Sequence, residues 1–237
     1  MKSVEEIRHE FREQLRLGQI VPGAKPDDDT IEILAAQFEP KLHCLSDRSI
    51  FGRVDEDYVE RELQWYESQS LKVADMRPPV PKIWQDIASL GGEVNSNYGW
   101  CIWSWENGSQ YESCLRALQK DPLSRRACMI YQRPSMHVDW YRDGMKDFMC
   151  TDAVHCFLRP AEGIGLAGPA ELELHYHVFM RSNDAVFGFK NDFAWHKHVM
   201  ENLATDLSVS PASLIWHAAS LHVYRRHFPL LVKGAPQ

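Results

Sequence analysis

From Ala127 onward the chain is crowded with short runs that read as strands: ACMIYQ, AVHCFL, ELELHYHVFM and, last, SLIWHAASLHVY over residues 213–224. The earlier half reads mainly as helix. Ser3 and Glu6 have capping-box spacing and open a helix to about Leu17. The run TIEILAAQF, residues 30–38, is a predicted strand, and a second helix is expected over residues 55–68. Pro78, Pro79 and Pro81 break the chain before a short helix near Ile83–Leu90, and a helix over 109–120 ends at Asp121-Pro122. One more helix is expected from about Phe193 to Leu207. Helices and strands mix without the regular βαβ period of a doubly wound sheet, so the expected class is α+β. No repeat or shift in composition marks a boundary, which predicts one domain over residues 1–237.

Charge narrows the function classes. The formal net charge is -7, which argues against broad binding to nucleic-acid phosphates but leaves room for a local arginine pocket. No apolar run is long enough to span a bilayer, and MKSVEEIRHEFREQLRLG lacks a signal core. None of the six cysteines forms a CxxC pair; reduced thiols in a cytoplasmic protein are expected.

Several residues stand out as chemistry. In DEDYVERELQWYES, Tyr58, Glu62 and Tyr66 recur every four residues, with Val59 and Leu63 beside them. Glu62 therefore falls on an apolar helix face, where desolvation would raise its pKa and suit it to proton transfer. The other reading places it at the edge of that face, in water or paired with an arginine. Cys150, in DFMCTDAVH, is a thiol between apolar and polar residues: a nucleophile if a nearby cation makes it a thiolate, otherwise a core residue. Arg125 and Arg126, in DPLSRR, can fork onto a phosphate or form a solvated basic turn. RSNDAVFGFKND gathers Arg181, Ser182, Asp184 and Asp192 around Gly188. Among the histidines, His196 and His198 lie two apart in a helix and point apart. His175 and His177 alternate on a strand with no third ligand evident, so no metal site is expected. The aromatic run NSNYGWCIWSWENGSQY reads as core plus the wall of a nucleotide pocket.

These segments occur in the order found in thymidylate synthases. SIFG, ELQWYESQS, PKIWQ, NSNYGW, RPSM, DGMKDFMCT, MRSND, FGFKNDFAW and LHVYRRHF bring the chain nearer to one branch, which resembles the deoxycytidylate hydroxymethylases of T-even-type phages. The resemblance runs from about Thr30 to Phe228. It implies a thymidylate synthase-like fold, a mixed sheet flanked by helices, with one sheet face forming a homodimer interface. It implies a nucleoside monophosphate substrate and 5,10-methylenetetrahydrofolate as co-substrate, with no metal, membrane or nucleic-acid partner, in a cytoplasm that is the host's if the source is a phage. It casts Cys150 as the nucleophile at pyrimidine C6 and Glu62 as the proton manager that orders water. Arg181 and Ser182 match phosphate ligands, with Arg125 and Arg126 supplied to the same phosphate by the partner subunit and Lys25 at a further phosphate-contacting position. His222 and Tyr224 match the pair on the sugar 3′-hydroxyl, Tyr98 an active-site tyrosine, and Trp84 and Asp184 positions beside the folate.

Asp192 stands where thymidylate synthases carry the asparagine that reads the base. Uracil offers an N3–H donor and an O4 acceptor; cytosine offers an N3 acceptor and an N4 donor. A protonated aspartate, or an ionised one facing a protonated base, complements cytosine. Thr151 and His155 depart from the histidine and glutamine usual in the family, and relatives carry a longer C-terminal segment that closes over the site than HFPLLVKGAPQ provides. The implied activity is 5-hydroxymethylation of dCMP. CMP as substrate, C5 methylation of dCMP or dUMP in the thymidylate synthase manner, and a non-catalytic nucleotide-binding scaffold remain as alternatives. Retention of Cys150, Glu62 and the arginines together counts against the last.

Overall fold

A computed structural model describes residues 1–24, 28–161 and 171–232. Lys25 lies outside the described residues, as does the end of the C-terminal segment. In chain order come β1 (Lys2–Ser3), α1 (Val4–Arg16), β2 (Thr30–Glu39), α2 (Glu56–Glu67), α3 (Lys82–Ile87), α4 (Tyr98–Trp103) and α5 (Gln110–Lys120). Then follow β3 (Cys128–Ile130), α6 (Met136–Asp143), β4 (Thr151–Pro160), β5 (Leu172–Met180) and β6 (Asn183–Asp184). The chain closes with α7 (Gly188–Leu207), β7 (Ser210–Tyr224) and α8 (Phe228–Val232). The mixture of helices with a sheet of parallel and antiparallel pairs is the expected α+β class.

The chain divides into two compact units, Met1–Val54 with Cys156–Gln237, and Asp55–His155. In the first, the strand order is β1-β2-β7-β5-β4, with β6 also on β7. β2 is antiparallel to β7, while β5 and β6 run parallel to it. The capping box forms as its spacing predicts: Glu6 N–H donates to Ser3 Oγ, and the Glu6 carboxylate accepts from Ser3 N–H at 2.7 Å. It starts α1 so that Val4, Ile7 and Phe11 are buried. Along β5, Leu174, Tyr176, Val178 and Met180 are buried and alternate with half-buried His175, His177 and Phe179. α7 covers the buried face, with Phe189 against Phe38 and Trp216 at ring separations of 5.5 and 5.1 Å. α7 begins five residues ahead of the predicted Phe193, because burial of Phe189 and Lys190 holds the first turn despite the glycine.

The second unit is helical, with β3 antiparallel to the first half of β4. α2 starts at an Asp55 cap and ends at Ser68, as predicted. α3 is shorter than expected, since Ala88 is already extended. Two short helices escaped the periodicity argument, α4 and α6. α4 is one turn built by tertiary anchors: Asn97 caps it by accepting from Trp100 N–H at 2.8 Å, and its amide donates to the Trp65 and Ser70 carbonyls. A Cβ at Gly99 would lie 1.9 Å from the Tyr66 carbonyl oxygen, so only glycine lets α4 approach α2 this closely. Among the described residues, no helix is long and apolar enough to cross a membrane.

Candidate active site

The helical unit carries the proton-transfer candidates. Glu62 is 5% exposed on the inner face of α2. Its Oε1 accepts from the Tyr58 hydroxyl at 2.6 Å, and Tyr66 hydrogen-bonds the same carboxyl. Burial pushes its pKa up from 4.5 to about 7, against the pull of the two tyrosines. The desolvated reading of Glu62 is therefore the observed one; the neighbouring Arg61 turns instead to Asp57, at 2.8 Å. Tyr58 in turn accepts from Trp84 Nε1–H at 2.9 Å, and Tyr66 stacks on Tyr98 at 5.2 Å. Glu62, Trp84 and Tyr98 thus share one hydrogen-bonded and stacked cluster, linked by Tyr58 and Tyr66. Sequence spacing singled out both tyrosines as neighbours of Glu62 without assigning them this role.

Cys150 is half-buried between Met149 and Thr151, both fully buried. The segment before it is clamped. Asp147 accepts from Ser96 N–H and Oγ–H, each at 2.7 Å, and Gln132 donates to the Met149 carbonyl. These bonds anchor the backbone that leads into Cys150. Cys101, by contrast, is sealed, and burial pushes its thiol up to about 12, which leaves it inert at neutral pH. Arg125 and Arg126 follow α5, exposed, and form no ion pair among the described residues.

The sheet unit carries the polar, ligand-reading candidates. Asn183 and Asp184 form β6 against Leu221 and His222 of β7. This pairing sets Asp184 beside His222, whose ring lies 4.9 Å from Tyr224. Burial depresses the His222 pKa more than Asp184 and Glu32 raise it. Ser182, His222 and Tyr224 line a cleft of about 530 Å³ together with Arg226, Glu32 and Ser220. Glu32 and Ser220 lay outside the ordered motifs, and Arg226 lay inside LHVYRRHF with no role assigned; Arg226 stacks over the Tyr224 ring at 4.2 Å, and Ser220 donates to Glu32. Half-exposed Arg181 precedes the cleft residue Ser182. Asp192, on the first turns of α7, accepts from Asn183 Nδ2–H at 2.7 Å through Oδ2. Asn183 lay inside the RSND motif but had no role assigned from sequence.

The histidines hold no cluster of three metal-ligating side chains among the described residues. His175 bonds the Ser213 hydroxyl, His177 stacks on His217 at 5.5 Å, and His196 is buried in the core.

A sequence model of the thymidylate synthase family matches residues 40–234, through both units. The chain belongs to the thymidylate synthase family. It is similar to the deoxycytidylate 5-hydroxymethyltransferase of Enterobacteria phage T4, 44% identical over 236 residues that cover 97% of this chain and 89% of that one. The phage T6 protein of the same description matches with the same identity and coverage. A thymidylate synthase of Fusobacterium nucleatum is 26% identical over 176 residues, 73% of this chain and 58% of its own. The resemblance read from the ordered motifs is thus confirmed at the level of the family and of the phage branch.

Proposed function

We propose that the protein is a homodimeric, folate-dependent enzyme that hydroxymethylates C5 of dCMP in the cytoplasm. The observation that carries the reading is the Asp192 carboxyl held by a buried asparagine amide where the family reads the base. A carboxyl there can donate to N3 and accept from N4, the edge of cytosine. The similarity to the phage hydroxymethyltransferases supports the same substrate.

Cys150 adds through its thiolate to C6, which places negative charge at C5. Methylenetetrahydrofolate supplies the one-carbon unit to C5. Trp84 suits that co-substrate: its half-buried indole, beside Ile83 at 60% exposure, offers a flat apolar surface for a fused ring, and Asp184 is the proposed polar contact. Loss of the C5 proton, with the bond from the one-carbon unit to nitrogen breaking and tetrahydrofolate as the leaving group, would leave an exocyclic methylene on the base. Water adds to that carbon as the thiolate leaves C6, so the net change is gain of CH2O with no oxidation of the folate. Glu62, with a pKa near neutrality, can take a proton from water and return one. Tyr98 walls this cluster. Arg181 and Ser182 bind the phosphate, joined by Lys25 and by Arg125 and Arg126 of the partner; the exposure of Arg125 and Arg126 in one chain supports their donation to another copy. His222 and Tyr224 hold the sugar hydroxyl.

The dimer reading has its own support. On the sheet face opposite α7, Phe179 stacks on His217 at 4.3 Å and Phe157 meets His177 edge-on. A half-buried aromatic face of this kind suits burial against an identical face.

The test is mass spectrometry of products from dCMP, CMP and dUMP incubated in parallel with methylenetetrahydrofolate. Gain of CH2O on dCMP, with no rise in dihydrofolate absorbance, is expected. Gain of CH2 with dihydrofolate formation, or turnover of dUMP in preference to dCMP, refutes the reading.

A further inference from the structure

We infer that Tyr58 is a positioning residue for the hydroxymethylation: its hydroxyl joins Trp84, the proposed folate wall, to Glu62, the proposed proton carrier, and orients both. The inference rests on the roles proposed for Glu62 and Trp84. Trp84 Nε1–H donates to the Tyr58 hydroxyl oxygen at 2.9 Å, and the Tyr58 hydroxyl donates to Glu62 Oε1 at 2.6 Å. Chemistry sets the order of these donors. An indole nitrogen can only donate, and a phenol has a single proton. With the indole N–H on a lone pair of the Tyr58 oxygen, that proton is directed at the carboxyl. The donors therefore run one way, from Trp84 through Tyr58 to Glu62, and each bond polarises the next.

Two further observations separate this role from ordinary packing. The first is that the Tyr58 ring is held by contacts that do not involve its hydroxyl. The Arg61 guanidinium lies over it, 5.4 Å from the ring centre. Arg61 is itself bound to Asp57 at 2.8 Å and to the Pro79 carbonyl, in the segment that leads into α3 and Trp84. Phenylalanine would make the same ring contacts, so the oxygen adds only the bonds to Trp84 and Glu62. The second is what those bonds do at each end. Trp65 meets Trp84 edge-on at 5.2 Å, and the Tyr58 bond fixes the direction of the indole N–H beside it. At the other end, burial drives Glu62 toward its neutral form, and the Tyr58 bond opposes this more than the Tyr66 bond does. Without the Tyr58 proton, Glu62 stays neutral to higher pH, and a neutral carboxyl cannot take a proton from water.

The experiment is Tyr58→Phe, alone and combined with Glu62→Gln, with three readouts. The first is urea unfolding without ligand at pH 5 and pH 8. A folded pKa raised further extends the loss of stability to higher pH, so Tyr58→Phe should destabilise more at pH 8 than at pH 5. In the Glu62→Gln background its effect should be the same at both. The second is calorimetry. Affinity for tetrahydrofolate, with dCMP present, should fall about fivefold, the worth of one net hydrogen bond, while affinity for dCMP alone holds. The third is the rising limb of kcat against pH, which marks ionisation of Glu62 and should move to higher pH. Equal losses of dCMP and tetrahydrofolate affinity, the same destabilisation at both pH values, or an unmoved limb would each overturn the inference. If Tyr58→Phe does not fold, ortho-fluorotyrosine in place of Tyr58 keeps the shape and makes a stronger donor. It should move the limb to lower pH, and an unmoved limb overturns the inference equally. The native protein separates this from the functional reading. A native enzyme that adds no CH2O to dCMP refutes the function, and the inference with it; one that does, with readouts insensitive to Tyr58→Phe, refutes the inference alone.

Discussion

Glu62→Gln should make the protein more stable and far less active, and the stability gain should grow with pH. The carboxyl is buried, and desolvation lifts its pKa from 4.5 to about 7. The sign follows from proton linkage. The folded form holds the Glu62 proton more tightly than the unfolded chain does, so this contribution favours folding most below pH 4.5 and is lost as pH rises through 7. At ~1.4 kcal/mol per pH unit, holding Glu62 ionised in the fold at pH 8 costs about 3 kcal/mol. Glutamine has the same shape, still accepts from Tyr58, and never ionises. Urea unfolding of both proteins between pH 5 and pH 8 measures the gap. It should be smallest at pH 5 and approach about 3 kcal/mol at pH 8, or about 6–12 °C in melting temperature for a chain of this size. Acid effects elsewhere occur in both proteins and cancel in the difference. A gap that does not change with pH would show that Glu62 ionises as it does in water, and the argument for its role in proton transfer would fall with it.

Cys150→Ser should abolish turnover and leave nucleotide binding nearly intact, since a hydroxyl with no dedicated base is a far weaker nucleophile; product formation near the native rate removes Cys150 from the mechanism. Arg126→Ala and Cys150→Ala proteins should each be severely impaired; on the proposed dimer, whose arginines cross the interface, mixing them under subunit exchange should restore activity, because one site in a mixed dimer is intact. No recovery after confirmed exchange would mean that Arg126 serves its own subunit or no site. His196 is fully buried, and burial pushes its pKa down to about 3. Its contribution to stability is complete above 6.5 and is lost as pH falls, by about 2 kcal/mol at pH 5. His196→Phe should flatten the loss of urea stability between pH 7 and pH 5 by that amount, and an unchanged slope would refute the assignment.

What was legible in the sequence is what local chemistry dictates. The capping box starts α1, the alternation of β5 survives intact, and the spacing of Tyr58, Glu62 and Tyr66 put all three on one helix face. Local pattern failed where long-range contacts outweigh it. α4 is too short to have a period and exists because Asn97 and Gly99 are held against the end of α2. The start of α7 was read too late because glycine and two polar residues look like a break, while Phe189 and Lys190 are buried behind them.

The site divides in the same way. Motif order alone identified the family and nominated Cys150, Glu62 and Asp192 as nucleophile, proton carrier and base reader, because chemistry restricts which residue types can do each task. Sequence left open whether Glu62 met water, an arginine or the core. That was decided by packing, which surrounds the carboxyl with aromatic side chains and two tyrosine hydroxyls and so raises its pKa. The partner of Asp192 was likewise undetermined by motif order. Asn183 and Asp192 meet because β6 pairs with β7 and Gly188 admits the amide beside α7. A hydrogen bond between side chains nine residues apart depends on that tertiary arrangement, and one-dimensional spacing carries no record of it.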